Sequence, residues 1–529
     1  MANILAIHDS HNASICQIND NNITYFQEAE RLDKNKKSSN WTVLLNKYRD
    51  KTFDTIVFVA LPKKTNTDEW FEKNKAYEQY VKNELNLYNI KSSKFIFEVN
   101  HHFFHACSAF FNSGFKNSYA LIIDGNGAFS LSKGKCVNEI VSLYYFNKNK
   151  FKEIFKIFQS DDEYKIGKHI FLNTLSLGNM YTTIKHILNF KEEGSVMGLS
   201  SYVKEEISFT KLFTNNKYNH FNSVQSSIHG LVQQRRFKET HVKKNPQFIC
   251  KLVQTELENI VLNYVSNIMK DKQRNICVSG GVFQNTVLNS KILNKCLNLY
   301  VDPFADDSGL SMGAALWYSN KNKFYNKKIN TLYLGDLPNY KELPKNKSVN
   351  ATAKEVAEHI SKGNIVAIYQ GKNELGKRAL GNRSFLFDPR DQYAKDKINI
   401  LKNREWFRPT AGTILHEHAD KWFDLKSKKE TPFMSYVFNL KKQNVPGITH
   451  IDNTCRIQTL KKEDNFHYYN LINEFYKITG VPILGNTSFN LAGEPLVNSV
   501  DDAIHTLTNS NGKFKMIYFP EIGEIYFYH

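Results

Sequence analysis

The sequence predicts an α/β protein with an internally duplicated core, followed by a second α/β domain. Three observations carry that expectation. The opening ILAIHDSHNASICQINDNNITYFQEAER alternates apolar runs with polar, Asn-rich turns, and reads as strand, turn, strand, turn, strand and helix start. SYALIIDGNGAFSLSKGKCVNEIVSLYYF repeats that rhythm with an apolar strand, a Gly-rich acidic turn and further strands. Between Gly335 and Asn350 the apolar periodicity lapses in LPNYKELPKNKSVN, with two prolines, which sets a domain boundary between residues 1–345 and 346–529. At 529 residues and 41% hydrophobic content, the chain has enough apolar mass for more than one core.

In the duplicated part, the turns that follow the strands are expected to face one cleft and to carry the chemistry. The first, HDSHNAS, holds His11 beside His8 and Asp9. An imidazole in such a turn serves as a general base near neutral pH if one tautomer is enforced, or as a cap or solvent-facing group if not. NHHFFHACSAF places His101 and His105 one helical turn apart, which suits two imidazoles on one ion or a polar surface patch. Asp124 in LIIDGNG and Asp307 in PFADDSG each follow an apolar strand. Together the two imidazoles and two carboxylates form a mixed N/O set suited to iron, manganese or zinc, with open positions able to bridge to nucleotide phosphates. Gly125 and Gly127 leave room for main-chain N–H groups to meet those phosphates.

Apolar residues recur at helical spacing over 173–197 and 247–269, whereas 204–244 is polar and irregular and reads as an insertion or surface excursion. NICVSGGVFQNTVLN then sets Gly280 and Gly281 between a strand and a helix bearing Asn285. Small residues there make a flat wall for a purine nucleoside, or simply allow close strand–helix packing.

Past the boundary, AKEVAEHISKG reads as an amphipathic helix stopping at Gly363, and NIVAIYQ as a buried strand. That strand runs into ELGKRALGNRSFLFDPRD and KNREWFRP, which gather Lys377, Arg378, Arg383, Arg390, Lys402, Arg404 and Arg408 around Gly376 and Gly381. Arginine forks match phosphate and carboxylate oxygens in pairs, so the cluster reads as a site for a compact, multiply charged anion, with a solvated basic face as the alternative. THIDNTCRIQT adds His450, Asp452, Arg456 and Gln458, and GVPILGNTSFNLAGEP adds Asn486, Thr487, Ser488 and Asn490. Amides and hydroxyls beside arginines suit a phosphate joined to an amide-like group, or else form a structural turn.

Composition narrows the field further. The net charge of +18 is spread along Lys- and Asn-rich stretches, so it reads as compositional bias, and nucleic acid is not expected as a partner. Seven scattered cysteines form no C-x-x-C pair and suit a reducing compartment. With no basic leader and no apolar run of ~20 residues, a cytoplasmic protein without a membrane partner is expected.

Taken in order, HNAS, AER, HHFFHACSAF, DGNG, LSLGNMYT, EGSVMGLS, GGVFQN, DDSGLSMGAA, GKRALGNRS, KNREWFRP, HIDNTCRIQT and NTSFN with GEP resemble the O-carbamoyltransferases of the nodulation-factor, cephamycin and aminoglycoside type (NodU/CmcH/TobZ). The resemblance spans nearly the whole chain. It implies an actin-like, TsaD-like N-terminal domain and a YrdC-like C-terminal domain, the modules also shared by the hydrogenase-maturation protein HypF. It further implies that the C-terminal domain joins carbamoyl phosphate and ATP, the latter with Mg²⁺, into carbamoyl adenylate. Arg378, Lys402, Arg404, Arg408, Arg456, Ser488 and Asn490 are the matched anion and carbamoyl contacts. In the N-terminal domain, His101, His105, Asp124 and Asp307 would hold a divalent metal, iron foremost, with Gly280, Gly281 and Asn285 at the nucleoside and His11 deprotonating the acceptor hydroxyl. The implied acceptor is a sugar-containing small molecule or glycan precursor with a free hydroxyl, and a homodimer is compatible. The competing readings are carbamoylation of a protein or tRNA, and a nucleotide-binding regulator that has lost catalysis. Ser195, Lys377, Thr410 and Gly412 depart from the usual family pattern.

Overall fold

In a computed structural model, which describes residues 3–60, 70–133, 135–204, 245–270, 275–296, 298–325, 327–344 and 347–527, the two sequence repeats fold into sheets of one and the same strand order. The first sheet contains β1 (Asn3–His8), β2 (Ser14–Asn19), β3 (Asn22–Glu28), β4 (Thr52–Val59) and β5 (Lys91–Glu98), ordered β3-β2-β1-β4-β5. Its first three strands form an antiparallel meander, and β4 and β5 join in parallel. The second sheet contains β6 (Asn117–Ile123), β7 (Phe129–Ser132), β8 (Lys135–Asn147), β9 (Lys150–Gln159), β10 (Tyr164–Ile166), β11 (His169–Leu172), β12 (Ile276–Ser279) and β13 (Leu299–Val301). Its heart, β9-β8-β6-β12-β13, repeats the first order with the same directions: an antiparallel meander, then two parallel strands. This is the duplicated, actin-like arrangement that the sequence implied.

The repeat explains where the site lies. Strands β1 and β12 are buried along almost their whole length, as strands covered on both faces must be, so they read as unbroken apolar runs. Polar groups then gather where these strands end, in the turns after His8, Ile123, Ser279 and Val301. The helix His101–Ser113 lies entirely in the interior, all thirteen residues buried, and is closed by Gly114 at φ 77° in the left-handed region.

Close packing fixes that helix. A Cβ on Gly313, in the helix Gly309–Asn320, would stand 1.9 Å from the Phe104 carbonyl oxygen, so only hydrogen fits. Gly313→Ala is expected to destabilise the protein by ~1–3 kcal/mol through overpacking, read as a lower urea midpoint at unchanged slope. An unchanged midpoint would show that the two helices do not depend on this contact.

The molecule divides into two units, one of Met1–Ala29 with Lys37–Ile329 and one of Glu30–Lys36 with Asn330–His529. Residues 345 and 346, where the sequence sets its boundary, and 205–244, nearly all of the polar excursion, lie outside the described residues. The second unit is built on a nine-stranded mixed sheet of β14 (Ser348–Asn350), β15 (Val366–Tyr369), β16 (Arg383–Phe387), β17 (Ala411–Leu415), β18 (Val437–Asn439), β19 (Thr454–Leu460), β20 (Ile483–Ser488), β21 (Met516–Phe519) and β22 (Glu524–Phe527), in the order β14-β22-β21-β15-β16-β20-β17-β19-β18. The amphipathic helix read from AKEVAEHISKG spans Ala353–Ser361, opened by a Thr352/Glu355 capping box and followed by Gly363 at φ 84°. The short stretch 30–36 is bound into this unit, where Lys34 pairs with Asp502 and Arg31 Nη2 donates to the Gly376 carbonyl at 3.4 Å. Among the described residues, no helix is long and apolar enough to cross a membrane.

Candidate functional site

In the first unit, the ends of three different segments bring His101, His105, Asp124 and Asp307 together, with one ligand atom from each lying within 4.8 Å of all the others. The Nε2 atoms of His101 and His105 are 3.2 Å apart. They lie 3.6 and 3.4 Å from Asp124 Oδ2, and 3.4 and 3.6 Å from Asp307 Oδ1. Nitrogen and oxygen donors ~2.1 Å from one ion, at angles of ~90–110°, stand roughly 3.0–3.4 Å apart, so this set is close to ligand spacing. Burial disfavours charge on His101, yet Asp307 and Asp124 outweigh it and raise its pKa to about 10. His105 is raised in the same way. Burial alone would lift both carboxyls, but the two rings hold Asp124 and Asp307 below the usual range. Two buried acids drawing positive charge onto two buried imidazoles mark a place that favours a cation. The buried Oδ2 of Asp124 has no hydrogen-bond partner, which fits a ligand lone pair.

The turn glycines serve this geometry. Asp124 Oδ1 accepts from Gly125 N at 2.6 Å and from Gly281 N at 3.3 Å, which leaves Oδ2 facing the rings. Gly127 donates its N–H to the Glu139 carbonyl at 2.8 Å and packs against His102, where a Cβ would meet Nε2 at 2.7 Å. Gly280 sits at φ 97°, and a Cβ there would strike the Ile123 carbonyl oxygen at 2.4 Å, so both the backbone and the space require glycine. Asn285 caps the helix Thr286–Leu293 through Oδ1 to Leu288 N at 3.0 Å, and its Nδ2 donates to Gln254 Oε1 at 2.8 Å and Tyr181 Oη at 3.2 Å. The amides of Gly125, Gly127, Gly281 and Asn285 thus donate to internal acceptors.

His11 stands beside the cluster with its side chain 57% exposed. Its Nδ1 lies 3.3 Å from Asp307 Oδ2 and 3.1 Å from Ser10 Oγ, and Ser10 also donates to Asp307 Oδ2 at 3.2 Å. A carboxylate at Nδ1 holds the hydrogen there and leaves Nε2 as an accepting lone pair turned away from Asp307. His8, the other histidine of that turn, is buried, with Nδ1 against the Val59 carbonyl at 3.1 Å, and burial lowers its pKa to about 3.

The basic cluster of the second unit separates into roles. Arg383 is fully buried beneath the loop, donating to the carbonyls of Gln370, Asn382 and Gly371 and lying 3.7 Å over the Tyr369 ring. Arg390 forks onto Asp388, with Nε at 3.0 and 3.1 Å and Nη2 at 2.6 Å from its oxygens. The sequence grouped both with the anion site, but their guanidiniums are structural. Lys402 Nζ donates to Ser488 O and Oγ and to Asn490 O and Oδ1 at 2.7–3.0 Å, tying KNREWFRP to the NTSFN turn. Arg378, Arg404 and Arg408 are close enough to Arg456 that burial, then these three charges, drive its pKa well below the ordinary value. Arg456 Nε is buried and has no hydrogen-bond partner. Four guanidiniums that repel one another define a strongly anion-seeking spot.

Several supporting residues escaped the sequence. Asn399 donates to the carbonyls of Trp406 and Arg408 at 3.0 and 3.1 Å and accepts from Arg404 Nε at 2.5 Å, holding the arginine loop together. Buried Glu374 accepts the N–H groups of Leu380 and Arg383, both at 3.0 Å, and so closes the loop that carries Arg378. Glu139 pairs with Lys156 behind the Gly127 turn. Nothing in periodicity marks such residues. A buried polar residue inside an apolar run, as with Glu139 in VNEIV, is the one available signal.

Residues 24–316 match the family model described as Carbamoyltransferase N-terminus, and residues 357–519 that described as Carbamoyltransferase C-terminus. The chain belongs to the carbamoyltransferase family. It is 33% identical to nodulation protein NolO of Bradyrhizobium diazoefficiens over 78% of this chain and 76% of that one. To nodulation protein NolNO of Sinorhizobium fredii it is 34% identical over 78% of this chain, spanning 62% of the relative's length. An uncharacterized protein of Methanocaldococcus jannaschii matches over 96% of this chain and 97% of its own length at 32% identity. Among solved structures, full-length HypF in a phosphate- and nucleotide-bound form aligns with a TM-score of 0.42 at 15% identity, covering 62% of this chain and 47% of that one.

Proposed function

We propose that this carbamoyltransferase works in two steps on two sites. In the second unit, water hydrolyses carbamoyl phosphate to carbamate and phosphate, and a carbamate oxygen then attacks the α-phosphorus of ATP, forming carbamoyl adenylate as the bond to the β-phosphate oxygen breaks and pyrophosphate leaves. Arg378, Arg404, Arg408 and Arg456 neutralise the phosphate oxygens as charge develops. Lys402 holds Ser488 and Asn490, the carbamoyl contacts that the family resemblance implies, while Ser488 donates to Asn490 Oδ1 and the Asn490 NH₂ to the Leu491 and Glu494 carbonyls. In the first unit, the acceptor's hydroxyl oxygen attacks the carbamoyl carbon, the bond from that carbon to the adenylate oxygen breaks, and AMP leaves. His11 Nε2 takes the hydroxyl proton, and Asp307 stabilises the imidazolium that forms. His101, His105, Asp124 and Asp307 would hold a divalent ion, with iron, manganese or zinc all compatible, and such an ion supplies a positive centre for the adenylate phosphate. The acceptor is a sugar-containing small molecule or glycan precursor with a free hydroxyl. A mixed anhydride hydrolyses in water, so making and consuming it in enclosed sites is physically sensible.

The observation that carries this reading is Asp307, which faces the metal-ligand set through one oxygen and fixes the His11 ring through the other. The full chain, given ATP, Mg²⁺, a divalent metal and labelled carbamoyl phosphate, is expected to release pyrophosphate only when carbamoyl phosphate is present. With an extract of the producing cell, mass spectrometry should find a product heavier by one carbamoyl group. Absence of carbamoyl-phosphate-dependent pyrophosphate release would end the two-step reading. His11→Asn is expected to spare that release and lower transfer by ~10²-fold or more. An equal fall in both half-reactions would remove the base role.

A further inference from the structure

Close to the four clustered residues lies a further buried carboxylate, that of Asp302. Asp302 follows β13 and is 2% exposed. Its Oδ2 accepts from Ser279 Oγ at 3.1 Å, and Ser279, the last residue of β12, lies 3.4 Å from His105 Nδ1. The hydroxyl has a single hydrogen, and Asp302 takes it. Ser279 Oγ therefore presents only lone pairs to the ring, so His105 must carry a hydrogen on Nδ1, which leaves Nε2, the nitrogen facing Asp124 and Asp307, as the one that can give up its proton to an ion. The other oxygen acts on a second ligand. Asp302 Oδ1 accepts from Phe304 N at 3.2 Å, while Asp302 N donates to the Val278 carbonyl at 3.0 Å. These bonds fix the start of the turn PFADDSG that delivers Asp307. The turn is tight, for a Cβ on Gly309 would stand 2.2 Å from the Phe304 carbonyl oxygen.

We propose that Asp302 is a positioning residue for the metal centre, setting the tautomer of His105 through Ser279 and the placement of Asp307 through the Phe304 amide. The inference rests on the reading of the cluster as a divalent-ion site. Metal-ligating histidines commonly give their second nitrogen to such an acceptor, and losing it costs about 10–100-fold in affinity. Here a serine hydroxyl is interposed, so the carboxylate acts one bond further out, and it steadies two ligands rather than one.

The test titrates Co²⁺ into the metal-free full chain, followed by calorimetry and by the ion's visible d–d bands, which report ligand geometry. Asp302→Asn is expected to weaken Co²⁺ binding by about 10–100-fold and to shift the bands. Ser279→Ala, which removes only the link to His105, should shift them too, with a smaller loss of affinity, and serves if the first variant fails to fold. Thermal unfolding of the metal-free variants separates the roles, because a residue that merely supports the fold would lower the melting temperature and leave affinity and bands of the folded protein unchanged. That outcome would overturn the inference while leaving the ion site standing. Failure of the unaltered protein to bind Co²⁺ would overturn both.

Discussion

Arg456→Ala is expected to lower carbamoyl-phosphate-dependent pyrophosphate release by about 10²-fold or more, the scale of one lost donor at developing negative charge. The position is set by the sheet, since Arg456 on β19 pairs in register with Ala411 on β17, whose other neighbour is Asn486 on β20. Burial and the charges of Arg378, Arg404 and Arg408 all work against its own charge. Removing it therefore relieves repulsion in the ligand-free protein, and the melting temperature is expected to hold or rise while activity falls. That opposition of signs distinguishes a ligand-binding arginine from a structural one such as Arg383, whose loss would take the guanidinium donors from three carbonyls. Release within a few-fold of the unaltered rate would remove the anion role from this cluster.

Asp124→Asn is expected to abolish transfer to the acceptor and to weaken divalent-ion binding by at least about 10²-fold, since loss of a supporting residue alone can reach that. The amides of Gly125 and Gly281 already fix one oxygen of the carboxylate. In the variant they would keep the amide oxygen for themselves and turn its NH₂ toward the histidine nitrogens, where it offers hydrogens and no lone pair. Adenylate formation in the other unit should persist. Metal content by mass spectrometry equal to that of the unaltered protein, or a parallel loss of both half-reactions, would contradict the assignment.

The duplication was legible in its antiparallel part alone, where alternating apolar runs and polar turns mark β1 to β3 and then β6 and β8; the sequence counted β7, which lies off the repeated order, and read neither β9 nor the parallel strands β4 and β5. His101 and His105 could be paired from their spacing. Asp307 could be joined to them only through its turn context and the family resemblance, because its distance in sequence hides a contact made by the fold. The basic run was visible as a cluster, yet charge count cannot tell Arg383, whose two terminal nitrogens donate to three carbonyls, from Arg456, which burial and three neighbouring guanidiniums set against its own charge. Periodicity shows which face is buried, whereas hydrogen-bond saturation depends on loop paths that no local pattern encodes. Asn399, Glu374 and Asp302 were missed for the same reason. Each acts through backbone groups or another side chain, and only coordinates reveal those.

The membership of residues 30–36 bears on any attempt to cut the protein into working halves. A fragment beginning at Asn330 would lose the short helix Glu30–Asp33, the guanidinium that steadies the Gly376 carbonyl, and the lysine that neutralises Asp502 in the capping box of the helix Val500–Asn509. The complementary fragment would carry that stretch without Asp502 and the Gly376 carbonyl. The chain is thus laced at its beginning as well as joined in the middle, and dissecting its two chemistries calls for point substitutions in the intact polypeptide rather than truncation.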